Sequence, residues 1–138
     1  MTQRHSASWI LVLVLTMALP AFSGQEWVIE SEKVPVVRLG GFVLDPTGVP
    51  LPDVTVELYG NPEVLFSTKR IAAFQRPSIA STVSSRDGMF RISKVPPGRY
   101  ELRFTKPGFN TLSVVTTLSP ADKKASKAPM RVRMSLAT

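Results

Sequence analysis

Apolar and polar residues alternate with a period of two along most of this chain, and almost every alternating run is bounded by Gly, Pro or Asp. The clearest stretch runs from Asp87 to Phe104. Phe90 and Ile92 fall on one side of a first run, and Tyr100, Leu102 and Phe104 on one side of a second, with Pro96-Pro97-Gly98 breaking the chain between them. Residues at i and i+2 share a face of a strand, so each run predicts a strand with one face in a core. Upstream, Val36 to Leu44 reads as a strand and Asp45-Pro46-Thr47-Gly48 as a turn. Val54, Val56 and Leu58 then alternate with Thr55, Glu57 and Tyr59. Thr82 and Val83 resume extended structure before Arg86-Asp87-Gly88. Asn110 to Leu118 follows the Lys106-Pro107-Gly108 turn, and Met130, Val132, Met134 and Leu136 alternate with Arg131, Arg133 and Ser135 in a last strand. This spacing predicts an all-β fold, a seven-stranded antiparallel β-sandwich.

The pattern fails in two places. Gly60 to Ser81 spans 22 residues, whereas hairpin connections usually take about two to five. It sets Val64-Leu65-Phe66 and Ile71-Ala72-Ala73-Phe74 on either side of Lys69 and Arg70, with Arg76-Pro77 following. A locally folded excursion or a functional loop is expected here, and its candidate partner-binding residues are Phe66, Lys69, Arg70, Phe74 and Arg76.

At the other irregular place, Arg4 and His5 precede an apolar run from Trp9 to Leu19, then Pro20 and the small-x-small sequence Ala21-Phe22-Ser23. That is the order of a signal peptide, with cleavage expected after Ser23 and Gly24 as the alternative. The apolar run is well short of the roughly 20 residues a spanning helix needs. The expected organisation is therefore a signal peptide at 1–23, a lead-in segment at 24–35 with room for one short strand, and one sandwich domain at 36–138 with an inserted excursion at 60–81. The processed chain is expected to be periplasmic or extracellular, with no transmembrane segment.

Charge and chemistry narrow the function. The chain has 17 basic and 10 acidic side chains and no cysteine, so no disulfide can brace it and its stability must come from the core. The basic residues are dispersed, without the aromatic-interleaved runs of a nucleic-acid-binding surface, so no nucleic acid is expected as partner. Attraction to an anionic envelope component fits the charge. His5 is the sole histidine and would leave with the signal peptide, which removes Ser-His-Asp and Cys-His systems and His-based zinc sites. Asp45, Asp53 and Asp87 adjoin Pro or Gly, where an Asp bonds its own turn, and no Asp-rich calcium loop appears. No catalytic, cofactor-binding or metal-binding residue is assigned, and no cofactor is expected.

The aromatic residues sort by phase. Phe90, Tyr100 and Phe104 lie on the expected core face, and Phe109 is placed to plug one end of the core. Tyr100, just after Pro96-Pro97-Gly98-Arg99, is placed to hydrogen-bond a nearby backbone group as in a tyrosine corner. Trp27 and Phe42 are the candidate glycan-stacking residues, Phe42 because it is out of phase with Val43, and Phe66 and Phe74 of the excursion could join them. Sealing the edge of the sandwich is the alternative role for all four.

Gly41-x-Val43-x-Asp45-x-x-Gly48-x-Pro50-Leu51, Val54-x-Val56-x-Leu58, Asp87-Gly88-x-Phe90-x-Ile92-x-x-Val95-Pro96-Pro97-Gly98-x-Tyr100-x-Leu102 and Gly108-Phe109 together resemble the carboxypeptidase regulatory-like domain. The resemblance implies a transthyretin-like, prealbumin-like or Ig-like β-sandwich without catalytic activity of its own. With the apolar-basic pattern of the excursion and the empty catalytic inventory, the expected function is a secreted interaction module of the cell envelope that contacts a protein or anionic envelope component. Polysaccharide binding through exposed aromatics, or a structural, adhesin-like role, are the other readings. The excursion is longer than the family's usual link, which marks it as the place for specialised contacts.

Overall fold

The computed structural model describes residues 26–31, 34–67, 75–119 and 124–138. The expected signal peptide, and Lys69, Arg70 and Phe74 of the excursion, lie outside them. The described chain forms eight strands: β1 Trp27–Ser31, β2 Leu39–Leu44, β3 Thr55–Tyr59, β4 Ala80–Val83, β5 Met89–Ile92, β6 Gly98–Thr105, β7 Thr111–Leu118 and β8 Met130–Arg133. They build a five-stranded sheet in the order β1-β7-β6-β3-β4 and a three-stranded sheet in the order β5-β2-β8. The two pack face to face as a sandwich.

The expected seven strands are present, and β1 in the lead-in segment is an eighth. The pairing is not wholly antiparallel: β1 runs parallel to β7 and β2 parallel to β8. Parallel neighbours need a long intervening connection rather than a tight turn. Both pairs have one, because β1 and β2 lie at the start of the domain and β7 and β8 at its end.

Alternation decides the core. From the large sheet Val56, Leu58, Leu102, Phe104, Leu112 and Val114 point inward, and from the small sheet Leu39, Val43, Phe90, Val132 and Met134 meet them, all at 3% exposure or less. Phe90 and Phe104 meet edge to face across the sandwich, 5.2 Å between centroids at 81°. Each such buried side chain contributes about 1.5–3 kcal/mol by leaving water. Tyr100 is buried and its phenol O–H donates to the Pro96 carbonyl at 2.6 Å, which fixes the corner entering β6. Phe109 is half-buried against the end of the core and bridges to Leu136. Gly41 is dictated by proximity, because a Cβ there would lie 1.8 Å from the Met130 carbonyl oxygen of the parallel neighbour.

The outward face of the large sheet is covered too. After β3 the chain makes a 3₁₀ turn at Pro62–Phe66 that lays the fully buried Leu65 on Val115, with Trp27, Ile29 and Val64 around them. The start of the excursion is thus a cap on the sheet, and beneath it lies a charged cluster.

Candidate functional site

In β2 the residues Leu39 and Val43 face the core, so Gly40 and Phe42 face out from the small sheet. Register places Phe42 between Met89 of β5 and Arg131 of β8, and Gly40 beside Arg91 of β5. The Arg131 guanidinium lies 5.5 Å from the centroid of the Phe42 ring. Since glycine contributes no side chain, the sheet has a depression at Gly40. The result is an open groove of about 290 Å³, lined among others by Gly40, Phe42, Met89, Arg38, Arg91 and Lys127. The four basic side chains Arg38, Arg91, Lys127 and Arg131 are exposed, and Met89 keeps 50% of its surface in solvent.

Not one carboxylate belongs to β2, β5 or β8. The nearest acids in sequence are Asp45, just past β2, and Asp87, just before the antiparallel β5, and both fall at the end of the sheet away from Arg38. At about 3.3 Å per residue, Asp45 is about 16 Å along the strand from Gly40. Asp45 is also engaged: its Oδ1 accepts the Thr47 hydroxyl at 2.7 Å and the Thr47 and Val49 amides at 2.8 and 2.9 Å. Those bonds, the Thr47 hydroxyl first, hold its carboxyl below the usual range. Among the described residues the groove therefore gathers positive charge, with no carboxylate on its three strands, beside an aromatic ring and a thioether.

The opposite face of the molecule holds a different constellation. Glu101 of β6 is fully buried beneath the excursion. Arg103 Nε and Nη2 donate to its two oxygens at 3.0 and 3.3 Å, the Ser113 hydroxyl donates to Oε2, and Arg76 pairs with Oε1. Arg103 is held between aromatic rings, 4.2 Å from the Tyr59 centroid and 5.0 Å from that of Trp27. Two arginines and a hydroxyl meet both oxygens of one carboxylate, which is what keeps a charge tolerable away from water. Tyr59 donates its phenol O–H to Glu57, and burial first, then that acceptor, raises the phenol above its ordinary value.

The sequence-derived candidates are thereby separated. Trp27 is half-buried, with its indole N–H donating to Ser113 Oγ at 2.7 Å and its ring occupied by Arg103. Arg76 clasps the excursion: Nη1 donates to the Gly60 carbonyl at 2.6 Å and the Asn61 carbonyl at 3.1 Å while Nη2 reaches Glu101. Phe66 is 54% exposed at the end of the 3₁₀ turn. Phe42 stands on the other sheet, in the groove. Arg91 and Arg131 were visible in the sequence as dispersed basic residues, but only the register of β2 with β5 and β8 gathers them around Phe42. Glu101, Arg103 and Ser113 gave no signal beyond being polar positions of alternating strands.

Among the described residues no group of three His, Cys, Asp or Glu is placed to hold a metal ion. No helix among them is long and apolar enough to cross a membrane.

No curated protein matches the chain. Among solved structures, the 3-chlorocatechol 1,2-dioxygenase of Rhodococcus opacus 1CP aligns with 80% of this chain and 64% of its own, at 14% identity and a TM-score of 0.42. The chain thus spans less than two thirds of that enzyme's length. A family model described as the carboxypeptidase regulatory-like domain matches residues 38–131.

Proposed function

The chain belongs to the carboxypeptidase regulatory-like domain family, and from that premise we propose that it is an exported, non-catalytic interaction module that holds an anionic component of the cell envelope on the outer face of its small sheet. The supporting observation is the groove at Gly40 and Phe42, with Arg38, Arg91, Lys127 and Arg131 about it and no carboxylate on its three strands. An arginine fork pairs bidentately with carboxylate or phosphate, and a ring beside it gives a sugar or acyl carbon somewhere to pack. Surface charge of one sign also raises encounter rates with an oppositely charged partner.

Export rests on the Trp9 to Leu19 apolar run and the small residues after Pro20. The absence of a catalytic role rests on the family, and on a processed chain that would carry neither His nor Cys. The excursion, from which specialised contacts were expected, contributes Phe66 as its exposed aromatic among the described residues. Arg76, by contrast, serves the chain's own architecture.

The test is equilibrium binding of the purified protein to an acidic polysaccharide and to a phosphate-bearing polymer, with a neutral glycan as control. Binding to at least one polyanion should weaken steeply with salt, and the R91E and R131E substitutions should each weaken it about tenfold, or about 1.4 kcal/mol. Equal binding by wild type and the R91E/R131E double variant would overturn the assignment.

A further inference from the structure

Three shallow depressions adjoin one another across the small sheet. The first, of about 210 Å³, is lined by Arg38, Arg91, Ser93 and Lys94 together with Val95 and Leu118. The second is the groove of about 290 Å³ at Gly40 and Phe42, which shares Arg38 and Arg91 with the first. The third, of about 250 Å³, shares Ala128 and Pro129 with the groove and adds Val34, Val36, Ser126 and Arg131. Among the described residues, no acidic side chain lines any of them.

Their size argues against a small free ligand. Small-molecule pockets begin at about 300 Å³ and enclose most of what they hold, and each of these depressions is smaller than that and open. Joined end to end, however, they form a trough that runs from β5 over β2 to β8. Register sets its scale. Arg91 stands opposite Gly40 on one side of β2 and Arg131 opposite Phe42 on the other. With strands about 4.8 Å apart and about 3.3 Å per residue, the backbones of the two arginines are about 12 Å apart. No single carboxylate or phosphate spans that distance. Between the arginines lie Phe42 and the bare backbone of Gly40, and beyond Arg131 the lining turns apolar, with Pro129 and the 52% exposed Val34. Charge and apolar surface therefore alternate along the trough: Lys94 and Arg91, then Phe42, then Arg131, then Val34.

Resting on the reading that the groove holds an anion, we infer that its ligand is a linear polysaccharide carrying carboxylates, laid across the strands with its chain in all three depressions. An arginine fork takes a carboxylate bidentately, and the apolar face of a sugar ring packs on an aromatic side chain. A chain that alternates acidic groups with apolar ring faces matches the alternation of the trough. A polyphosphate offers charge with nothing for Phe42 or Val34 to meet. Each further contact made by a chain already held is intramolecular, so affinity grows with chain length until the trough is filled.

The test is calorimetry of the purified protein with oligomers of galacturonic acid of increasing length, their methyl esters, and a polyphosphate of matched charge. Affinity should rise at least tenfold from the shortest oligomer to the longest and level off once the trough is full. The methyl esters, which keep the rings and lose the charge, should bind at least tenfold more weakly. K94E and V34E change exposed side chains at the two ends of the trough, so the thermal midpoint should stay near wild type while affinity levels off at a shorter oligomer. Binding that does not grow with length overturns the inference, as do K94E and V34E profiles identical to wild type, or a polyphosphate held more tightly than the galacturonate chain. So does a protein that binds no galacturonate oligomer at all. The R91E/R131E double variant separates these failures from failure of the groove itself. Length-independent binding that the double variant abolishes defeats the trough alone, whereas equal binding by wild type and double variant defeats the reading beneath it as well.

Discussion

Arg76 and Glu101, 25 residues apart, form an ion pair that closes the excursion onto the large sheet, with the Glu101 carboxylate fully buried and the Arg76 side chain 13% exposed. Arg76 stands at the far end of the excursion and also holds the carbonyls of Gly60 and Asn61 at its near end. One guanidinium therefore ties both ends of the loop to the strand beneath.

The two partners are not equivalent. Removing the charge of Glu101 leaves both arginines facing a site that no longer compensates them, and an uncompensated buried charge costs about 3–5 kcal/mol. E101Q should therefore lower unfolding free energy by about that amount in denaturant titration. R76A should cost less, since Arg103 and Ser113 still satisfy the carboxylate. A double-mutant cycle should show the two substitutions coupled, and E101Q as stable as wild type would contradict the account.

Much of the sandwich was legible because period-two alternation and Gly or Pro turns act locally. Phe90, Tyr100, Leu102 and Phe104 were placed in the core from their phase alone, and they are buried. The direction of β1 and β8 was not legible, because parallel pairing is decided by where long connections return the chain. Nor was the cluster at Glu101: alternation tells that Glu101 and Arg103 face away from the core, but not that Leu65 and Arg76 come back to cover them. The groove was half legible. Phe42 stood out by being out of phase with Val43, while its basic neighbours Arg91 and Arg131 stand 49 and 89 residues further along the chain.

Gly41 and Gly108 separate two reasons for glycine. At Gly41 an added Cβ would meet the Met130 carbonyl oxygen at 1.8 Å, and a backbone atom of a central pairing cannot step aside. G41A should lose at least the about 3 kcal/mol at the upper end of ordinary overpacking, and soluble expression should fall. At Gly108 nothing lies within 4 Å, but φ is +86°, so G108A should cost only the about 1–2 kcal/mol of a left-handed L residue. Thermal unfolding of the two variants side by side checks the order. A milder effect at Gly41 than at Gly108 would show that β2 and β8 do not approach as described.

Tyr59 gives the fold a dependence on alkaline pH. Tyr59 is buried and its phenol donates to Glu57, and burial, followed by that hydrogen bond, raises its pKa above the ordinary value of 10.0. Nearby Glu101 pushes in the same direction, and Arg103 opposes it. A group whose pKa is higher in the folded state stabilises that state fully below its unfolded pKa and stops doing so as pH rises through the folded one. Wild type should therefore exceed Y59F in stability by about 1 kcal/mol, the ordinary worth of one hydrogen bond, throughout the neutral range. The gap should close above about pH 10, where the unfolded phenol ionises first. Paired denaturant titrations of wild type and Y59F across that range measure the difference directly, with groups common to both proteins cancelling. A gap that stayed constant well above pH 10 would mean that the Tyr59 phenol ionises as readily in the folded chain as in the unfolded one, and that the cap over β3 and β6 leaves it open to water.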